Sequence, residues 1–490
     1  MSLTSHASLD SRKRWWALIV LCLGVLMIVL DTTIVNVALP SIRQDLGFSE
    51  TSLVWVVNAY MLTFGGFLLL GGRLGDIYGH RTVFLSGLVL FTLASLACGL
   101  AHSQGQLIAA RAIQGIGGAV VSALPLSLIM TMFTEGAERA KAMGVYGFVC
   151  AGGGSIGLLL GGMLTSALDW HWIFLVNIPI GVVVFVLCFS LLPRMRTRVQ
   201  DRRLDVAGAI TVTASLMLAV YAIVNGNEAG WSSTQTLGLL GVAAVLLMVF
   251  LIIEARVAVP LMPFSIFRIR SMNIGNGVAV LWAMGMFTWF FMSALYMQLV
   301  LGLAPMQVGL AFLPANIIMA VFSLGLSAML VTRFGVRKPL GAGLALATVG
   351  LALFALAPVD GDVMTHVLPS MILLGLGGGL AFNPLLMATM SEVPPSEAGL
   401  ASGLANTAFV MGGSLGLAIL ASVSAARTHT LLVAGASQAE ALTGGYHVAF
   451  LVGAAAVGTG AVIGCIFLRN STAAASRASN ATSIPAAAND

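Results

Sequence analysis

Long apolar stretches recur along the whole chain, separated by short polar or Gly/Pro-rich segments. A helix that rises 1.5 Å per residue needs about 20 apolar residues to cross the hydrocarbon core of a bilayer. The pattern therefore predicts an all-α integral membrane protein with 14 transmembrane helices. The predicted spans are residues 15–39, 53–71, 83–101, 106–129, 140–164, 171–192, 206–225, 236–253, 273–299, 307–330, 338–357, 367–390, 398–423 and 446–468.

The segment Tyr78-Gly79-His80-Arg81 has a similar counterpart 256 residues later, Phe334-Gly335-Val336-Arg337. Two related groups of six spans with an extra pair between them would produce this internal repeat. Transporters are commonly built from such repeats. The predicted parts are a cytoplasmic N-terminus (1–14), an N-terminal six-helix bundle (15–192), a basic cytoplasmic linker (193–205), two extra helices (206–253), a cytoplasmic loop (254–272), a C-terminal six-helix bundle (273–468) and a disordered cytoplasmic tail (469–490).

Composition and charge agree with a membrane location. Hydrophobic residues make up 59% of the 490 residues and charged residues only 8%, whereas soluble proteins carry about 25% charged residues. Of the 23 Lys and Arg residues, only Arg43 and Arg427 fall on the outer side of the predicted topology and Arg111 falls within a span. Cytoplasmic loops hold the excess of basic residues, so both termini are expected in the cytoplasm. The net charge of +5 is spread over short loops, which argues against nucleic-acid binding.

Asp31 and Arg111 are the acid and the base that lie well inside predicted spans; Glu254 comes closest otherwise, at the inner end of span eight. An ionised group at the middle of a membrane helix costs about 2.5–3.5 kcal/mol, so a functional role is expected. The rise per residue places Asp31 roughly 12 Å and Arg111 roughly 8 Å from the outer ends of their spans. The two side chains are candidates for a proton-coupling pair; a purely structural pair is the alternative.

Three further patterns each leave two interpretations open. Thr32 and Asn36 share one helix face, which suits either a wetted cavity or hydrogen bonds between helices. The short loop Gly71–Arg81 places Asp76 beside two arginines, which suits either an inner gate or a solvated turn. Glycines at 153, 157 and 161 make one face of span five nearly bare backbone, which static packing explains as well as a moving interface does.

These residues resemble the fourteen-span drug:proton antiporter-2 family of the major facilitator superfamily. The similar segments are Leu30–Pro40 in the first span, Gly72–Arg81 in the loop after the second, Arg111–Gly118 in the fourth and Gly153–Gly162 in the fifth, with Trp172–Gly181, Tyr296–Pro314 and Ala398–Gly416 further along. The family commonly has Pro after the glycine where this chain has Leu158, and Pro would bend the helix. The resemblance covers about residues 15–468.

The resemblance implies a role for each group of residues. Asp31 would be the protonation site and Arg111 its modulator. The inner gate would comprise Gly72, Arg73, Gly75, Asp76, Gly79 and Arg81, and the antiporter helix would present Gly153, Gly157, Gly161 and Gly162. Substrate would bind between the two bundles, where the candidate polar residues are Thr32, Asn36, Tyr60, Gln114, Gln298, Asn316 and Asn383. The spans of the second half contain no acid, so monovalent or neutral amphiphiles are the expected substrates.

The function predicted from the sequence is proton-coupled antiport that exports small amphiphilic or cationic compounds by alternating access. The proton gradient would supply the energy, with no cofactor and no metal, in a monomer in a bacterial cytoplasmic membrane. One alternative is a dedicated exporter of a single endogenous metabolite such as an antibiotic, a lipid or an amino acid. The other is a membrane-embedded enzyme or receptor, but all seven histidines fall in loops or at span ends, so no catalytic group of residues emerges.

Overall fold

The computed structural model describes residues 11–133, 136–192, 204–258, 260–322, 326–394 and 398–468. These residues form helices and connecting loops, with no strand among them. The α-helices are α1 Ser11–Leu46, α2 Val54–Tyr78, α3 His80–Gly99, α4 Gln104–Ala123, α5 Pro125–Met132, α6 Gly136–Ala167, α7 Trp172–Leu175, α8 Asn177–Leu191, α9 Val206–Ala229, α10 Thr234–Arg256, α11 Arg270–Leu295, α12 Pro305–Val321, α13 Ser327–Phe334, α14 Arg337–Phe354, α15 Leu368–Met390, α16 Ala398–Val433 and α17 Gln438–Phe467. Phe264–Arg268 forms a 3-10 turn, and Tyr296–Val300 and Val363–Val367 form π turns.

The all-helical membrane architecture is confirmed, and every predicted apolar stretch contains a described helix. Ten of the described helical segments are long and apolar enough to cross a membrane, and Ile156–Ala167 and Pro305–Val321 are shorter apolar helices. The predicted span 106–129 is divided, because Pro125 has no N–H to continue α4 and instead begins α5. Fourteen crossings stay a prediction. Most of the predicted N-terminal segment (1–10), the linker (193–203) and the tail (469–490) lie outside the described residues.

Several helices extend beyond their predicted spans. Helix α17 begins at Gln438, eight residues before the predicted start, because the Ser437 hydroxyl accepts from the Glu440 N–H and the Glu440 side chain accepts from the Ser437 N–H. Helix α1 continues through Pro40 to Leu46, and α16 continues to Val433. Apolar runs locate the membrane-embedded part of a helix, whereas polar capping residues decide where the helix begins.

The internal repeat is visible at two equivalent turns. Gly79 joins α2 to α3 with φ of 93°, and Gly335 joins α13 to α14 with φ of 76°, a conformation that glycine adopts without steric cost. After each turn an arginine reaches the last turn of another helix: Arg81 donates to the Phe189 carbonyl of α8, and Arg337 donates to a carbonyl of α17, with N···O of 3.3 Å to Ile466. Basic groups are favourable at helix C-termini.

Glycine-lined contacts repeat in the same way. Cβ atoms added to Gly153, Gly157 and Gly161 would come within 2.8 Å of α1, and those on Gly412 and Gly416 would come within 2.7 Å of α11. Helix α6 therefore packs on α1 as α16 packs on α11. Across the structure, α6 packs on α12 and α2 packs on α16.

The extra pair of helices lies beside the α2–α16 contact. Helix α9 packs against both α2 and α16, and Asn227 donates to the Ser422 carbonyl at 2.6 Å. Helix α10 packs on α9, where Ser215 donates to the Ala243 carbonyl at 2.7 Å. The pair thus extends the helical assembly at one side and leaves the central region to the other helices.

The two ends of the helical assembly differ in charge. The basic end carries the α2–α3 and α13–α14 turns, with Arg73, Arg81, Arg333 and Arg337. The opposite end carries the α1–α2 connection, where Arg43 pairs with Glu50 at 3.6 Å.

Candidate functional site

Asp31 and Arg111 form a buried ion pair between α1 and α4. Arg111 Nη1 donates to Asp31 Oδ2 at 2.6 Å, and both side chains are 0% exposed. Arg111 also donates to Gln114 Oε1 at 2.8 Å and, from Nε, to the Val56 carbonyl at 2.9 Å. A buried charge is tolerated when it is both paired and hydrogen-bonded. The two charged groups, which the sequence placed at similar depths in the membrane, therefore contact each other directly.

Two amide groups hold the other carboxylate oxygen of Asp31. Gln114 Nε2 donates to Asp31 Oδ1 at 2.8 Å, and Asn177 Nδ2 donates at 3.0 Å. The same amides donate to Ser95 Oγ at 3.0 and 2.9 Å, and Ser95 donates to the Phe174 carbonyl at 3.0 Å. Asp31 therefore receives three donors from two neighbouring helices. We call Asp31, Ser95, Arg111, Gln114 and Asn177 the Asp31 network.

Tyr60 covers the guanidinium of Arg111. The Tyr60 ring centre lies 4.3 Å from Arg111 Cζ, close enough for a cation–π contact. A Cβ at Gly118 would lie 2.6 Å from the Tyr60 hydroxyl oxygen, and one at Gly115 would lie 2.3 Å from the Tyr60 carbonyl oxygen. The glycines that follow Gln114 along α4 thus allow α2 to approach, which brings Tyr60 onto Arg111.

Sequence reasoning missed two members of the network, Ser95 and Asn177. Asn177 is the polar residue in the apolar segment 172–181 and begins α8 after a short break at Val176, so its sequence does carry a signal. Ser95 lies within the apolar α3, where a single hydroxyl is common and can bond within its own helix. Only the packing of α3 against α4 and α8 reveals its role.

A cavity of about 1150 Å³ lies at the basic end, between α2 and α4 of the first half of the chain (α1–α8) and α11, α15 and α16 of the second half (α11–α17). Its polar lining includes Arg73 and Asp76 of α2, Asp205 at the start of α9, and Asn406 of α16. Phe382 and Phe409 line it on the side of the second half, with ring centres 6.1 Å apart. The cavity is amphiphilic, with both charge signs and aromatic faces.

The predicted inner gate is divided between several contacts. Gly72, Arg73 and Asp76 line the cavity, and Asp76 Oδ1 lies 3.4 Å from His80 Nε2. A Cβ at Gly75 would lie 2.2 Å from the Leu124 side chain, and Gly79 makes the turn described above. Arg81 bonds to the end of α8, which places its guanidinium within the first half.

The seven predicted substrate-cavity residues do not line the cavity at the basic end. Tyr60 and Gln114 are fully buried against Arg111 and Asp31. The side chains of Thr32 and Asn36 bond back to carbonyls of α1, at 2.8 Å from Thr32 to Val29 and 3.3 Å from Asn36 to Thr32. Asn316 is buried and donates to its own helix at Phe312, and Asn383 is half-buried on α15.

Helices of the two halves meet closely at the opposite end. Gln298 Nε2 donates to the Val37 carbonyl at 2.9 Å, and both Gln298 and Arg43 line a smaller cavity of about 540 Å³ there. Cβ atoms added to Gly162 and Gly309 would lie 2.7 Å from the Pro305 carbonyl and 2.8 Å from the Leu158 carbonyl, respectively. The conformation therefore combines a large cavity at the basic end with backbone contact at the opposite end. Helix α6 runs without interruption past Leu158, as expected without a proline.

Gly162→Leu should weaken this contact between the halves. The added side chain would meet the Pro305 carbonyl and the Met306 Cα, and overpacking of this kind costs about 1–3 kcal/mol. We expect a lower midpoint of thermal unfolding and loss of most transport activity, measured on purified protein and in proteoliposomes. Gly105→Leu is the matched control, because no atom lies within 4 Å of a Cβ there. Equal behaviour of the two variants would contradict the prediction.

Comparison with known proteins fits this arrangement. Residues 21–417 match the family model described as Major Facilitator Superfamily. The chain belongs to this superfamily.

Curated relatives extend over nearly the same length. The chain is 40% identical to the puromycin resistance protein pur8 of Streptomyces alboniger, over 97% of this chain and 95% of that protein. It is 41% identical to the cephamycin export protein CmcT of Amycolatopsis lactamdurans, over 84% of this chain and 85% of that protein. It is 35% identical to the multidrug resistance protein Stp of Mycobacterium tuberculosis, over 85% of this chain and 77% of that protein.

Solved structures agree in fold. The POT family transporter PepTSo matches with a TM-score of 0.67 at 15% identity, covering 94% of this chain and 98% of that one. A bacterial homologue of the human lysosomal transporter Spinster, in an inward-facing and occupied conformation, matches with a TM-score of 0.67 at 15% identity. The match covers 93% of this chain and 97% of that one. With its superfamily and its relatives, the chain is a membrane transporter and not an enzyme.

Proposed function

We propose that this transporter exports small amphiphilic or cationic compounds in exchange for protons that move inward through Asp31. The observation that carries the proposal is the Asp31 network, a buried carboxylate held by Arg111 and two amides. A proton added to Asp31 removes its charge and weakens all three hydrogen bonds, because charge-assisted bonds are the stronger ones. Protonation is thereby linked to the packing of α1 against α4 and α8.

The buried position of Asp31 supports alternating access. Its carboxylate is 0% exposed and lies apart from the cavity at the basic end. A proton reaches it only when neighbouring helices move, so proton binding and helix movement are one coupled event. A membrane potential of 100 mV supplies about 2.3 kcal/mol per proton, enough for a roughly 50-fold gradient of a neutral substrate.

The lining of the cavity supports an amphiphilic substrate. Carboxylates of Asp76 and Asp205 suit a monovalent cationic group, and Phe382 and Phe409 suit an aromatic or apolar body. Relatives named for puromycin, lincomycin and tetracenomycin C resistance support antibiotics as a substrate class.

The arrangement in the membrane is part of the proposal. We place the basic end and both termini in the cytoplasm, following the excess of basic residues in cytoplasmic loops. The chain would cross the membrane 14 times as a monomer, with six-helix bundles at 15–192 and 273–468 and two extra helices at 206–253. The cavity would then open to the cytoplasm, in the state that takes up substrate for export.

Proteoliposomes test the proposal. With the lumen acidic, gradient-driven uptake of ethidium or puromycin is expected from molecules whose basic end faces outward, and a protonophore should abolish it. Ethidium or puromycin uptake at the same rate with and without the proton gradient would contradict proton coupling.

Relatives named for single compounds favour a second candidate, a dedicated exporter of one metabolite. A competition panel separates the two. Several unrelated antibiotics compete with each other in a multidrug exporter, whereas one compound outcompetes all others in a dedicated exporter.

A further inference from the structure

A second pair of acidic residues lies at the basic end, away from the Asp31 network. Asp205 stands at the N-terminus of α9 and Glu254 stands in the last turn of α10, and their side chains are only 4% and 3% exposed. The two carboxyl groups lie within hydrogen-bonding reach of each other. Asp205 also lines the large cavity.

Each carboxyl group has one oxygen bonded to a backbone N–H and one buried oxygen without a donor among the described residues. Asp205 Oδ1 accepts from the Gly208 N–H at 2.7 Å and so caps α9, and Glu254 Oε2 accepts from the Met262 N–H at 3.0 Å. Asp205 Oδ2 and Glu254 Oε1 are buried and have no donor among the described residues. Buried acceptor oxygens without a donor are costly, and a proton held between the two neighbouring carboxyl groups would satisfy both of them.

Few charged groups lie around the Glu254 carboxyl group in the part of the chain that the structure describes. Among the described residues, Asp205 is the charged side chain that interacts electrostatically with Glu254. Segment 260–263 carries no titratable side chain. Arg73, Asp76 and His80 line the same cavity as Asp205, while Arg256 is exposed at the end of α10. Two carboxylates that are this close and this little exposed repel each other strongly, which favours one proton kept on the pair.

We propose that Asp205 and Glu254 together bind one proton beside the large cavity, at a site separate from Asp31. The shared proton closes a hydrogen-bond chain that runs from the start of α9, through both carboxyl groups, to the backbone of segment 260–263. This segment supplies Pro260, Leu261 and Pro263 to the cavity wall. The site therefore couples the protonation state of the basic end to the shape of the cavity wall.

The site gives the extra helices a chemical role. Asp205 and Glu254 come one from each helix of the α9–α10 pair, so the proton-binding site exists only when both helices are present. The inference does not depend on proton-coupled export through Asp31.

Infrared difference spectroscopy on the full-length purified protein in lipid nanodiscs tests the proposal. At neutral pH the wild type should show the C=O stretching band of a protonated carboxylic acid, and alkaline titration should remove it. Glu254→Gln and Asp205→Asn should each lose this band completely. Both amides keep an oxygen for the backbone N–H and offer an N–H to the remaining carboxylate, so both variants should fold.

Glu392→Gln is the matched control. Glu392 is an exposed acid at the same end that also accepts from a backbone N–H, of Ser271 at 3.1 Å, so its loss should leave the band unchanged. A band that survives in both Glu254→Gln and Asp205→Asn, or a wild type without the band, would overturn the proposal. Neither outcome bears on Asp31, whose test is gradient-driven transport.

Discussion

Asp31→Asn should reduce gradient-driven uptake in proteoliposomes to the level of liposomes without protein. Asparagine has the same shape as aspartate and still accepts from Gln114 and Asn177, but it does not bind a proton in the physiological range. Under the proposed coupling through Asp31, the variant loses the step in which a proton competes with Arg111 for the carboxylate, while the lining of the cavity at the basic end keeps all of its residues.

Asp45→Asn is the control for this variant. Asp45 lies on the same helix and accepts from Trp170 Nε1 at 2.9 Å, a bond that an asparagine oxygen can keep. We expect near wild-type uptake from it. A binding measurement with ethidium separates a coupling defect from a folding defect, because Asp31→Asn should still bind the dye. Full gradient-driven uptake by Asp31→Asn would assign Asp31 a structural role and place proton coupling elsewhere.

The membrane-embedded helices could be predicted from the sequence for a simple reason. Backbone polar groups in lipid have no water to bond, so a long apolar run must form a helix there. Helix boundaries depended on other forces: Ser437 and Glu440 start α17 early, and Pro125 divides the fourth predicted span. The equivalent turns at Gly79 and Gly335 were visible as a sequence repeat because both need a positive φ.

Contacts of charged residues were easier to anticipate from the sequence than contacts of neutral polar residues. Asp31 and Arg111 stood out because an unpaired charge in a membrane is costly, and this cost favours an ion pair between them. Asn177 and Ser95 carry no charge, and their place in the network depends on how α3, α4 and α8 pack.

The position of the cavity was the least predictable feature. Thr32 and Asn36 were candidates for its lining because they share a helix face, but both side chains bond to carbonyls of their own helix. The lining at the basic end comes instead from residues such as Leu261, Phe382 and Asn406, which lie far apart in the chain. Their proximity follows from how the two halves meet, and that arrangement has no periodic signal in the sequence.

A double-mutant cycle on Asp31 and Arg111 should show strong coupling in stability. Each of Asp31→Asn and Arg111→Gln leaves one buried charge without its partner, which costs about 3–5 kcal/mol. The double variant leaves neither charge, so it should unfold at a higher temperature than either single variant. Thermal unfolding followed by the fluorescence of the eight tryptophans measures this on detergent-purified protein.

The Arg43–Glu50 pair at the opposite end supplies the reference for this cycle. Its nitrogen and oxygen lie 3.6 Å apart and each side chain is 24% exposed, so a coupling below about 1 kcal/mol is expected. Partial burial raises the pKa of Glu50 and Arg43 opposes that shift, so the reference cycle is measured at mildly alkaline pH, where Glu50 is ionised. If the effects of Asp31→Asn and Arg111→Gln simply add, the two charges do not stabilise each other, and protonation of Asp31 would not release Arg111. Strong coupling confined to the buried pair would instead support the proposal that a proton on Asp31 releases Arg111, because a proton and the guanidinium would then be alternatives at one carboxylate.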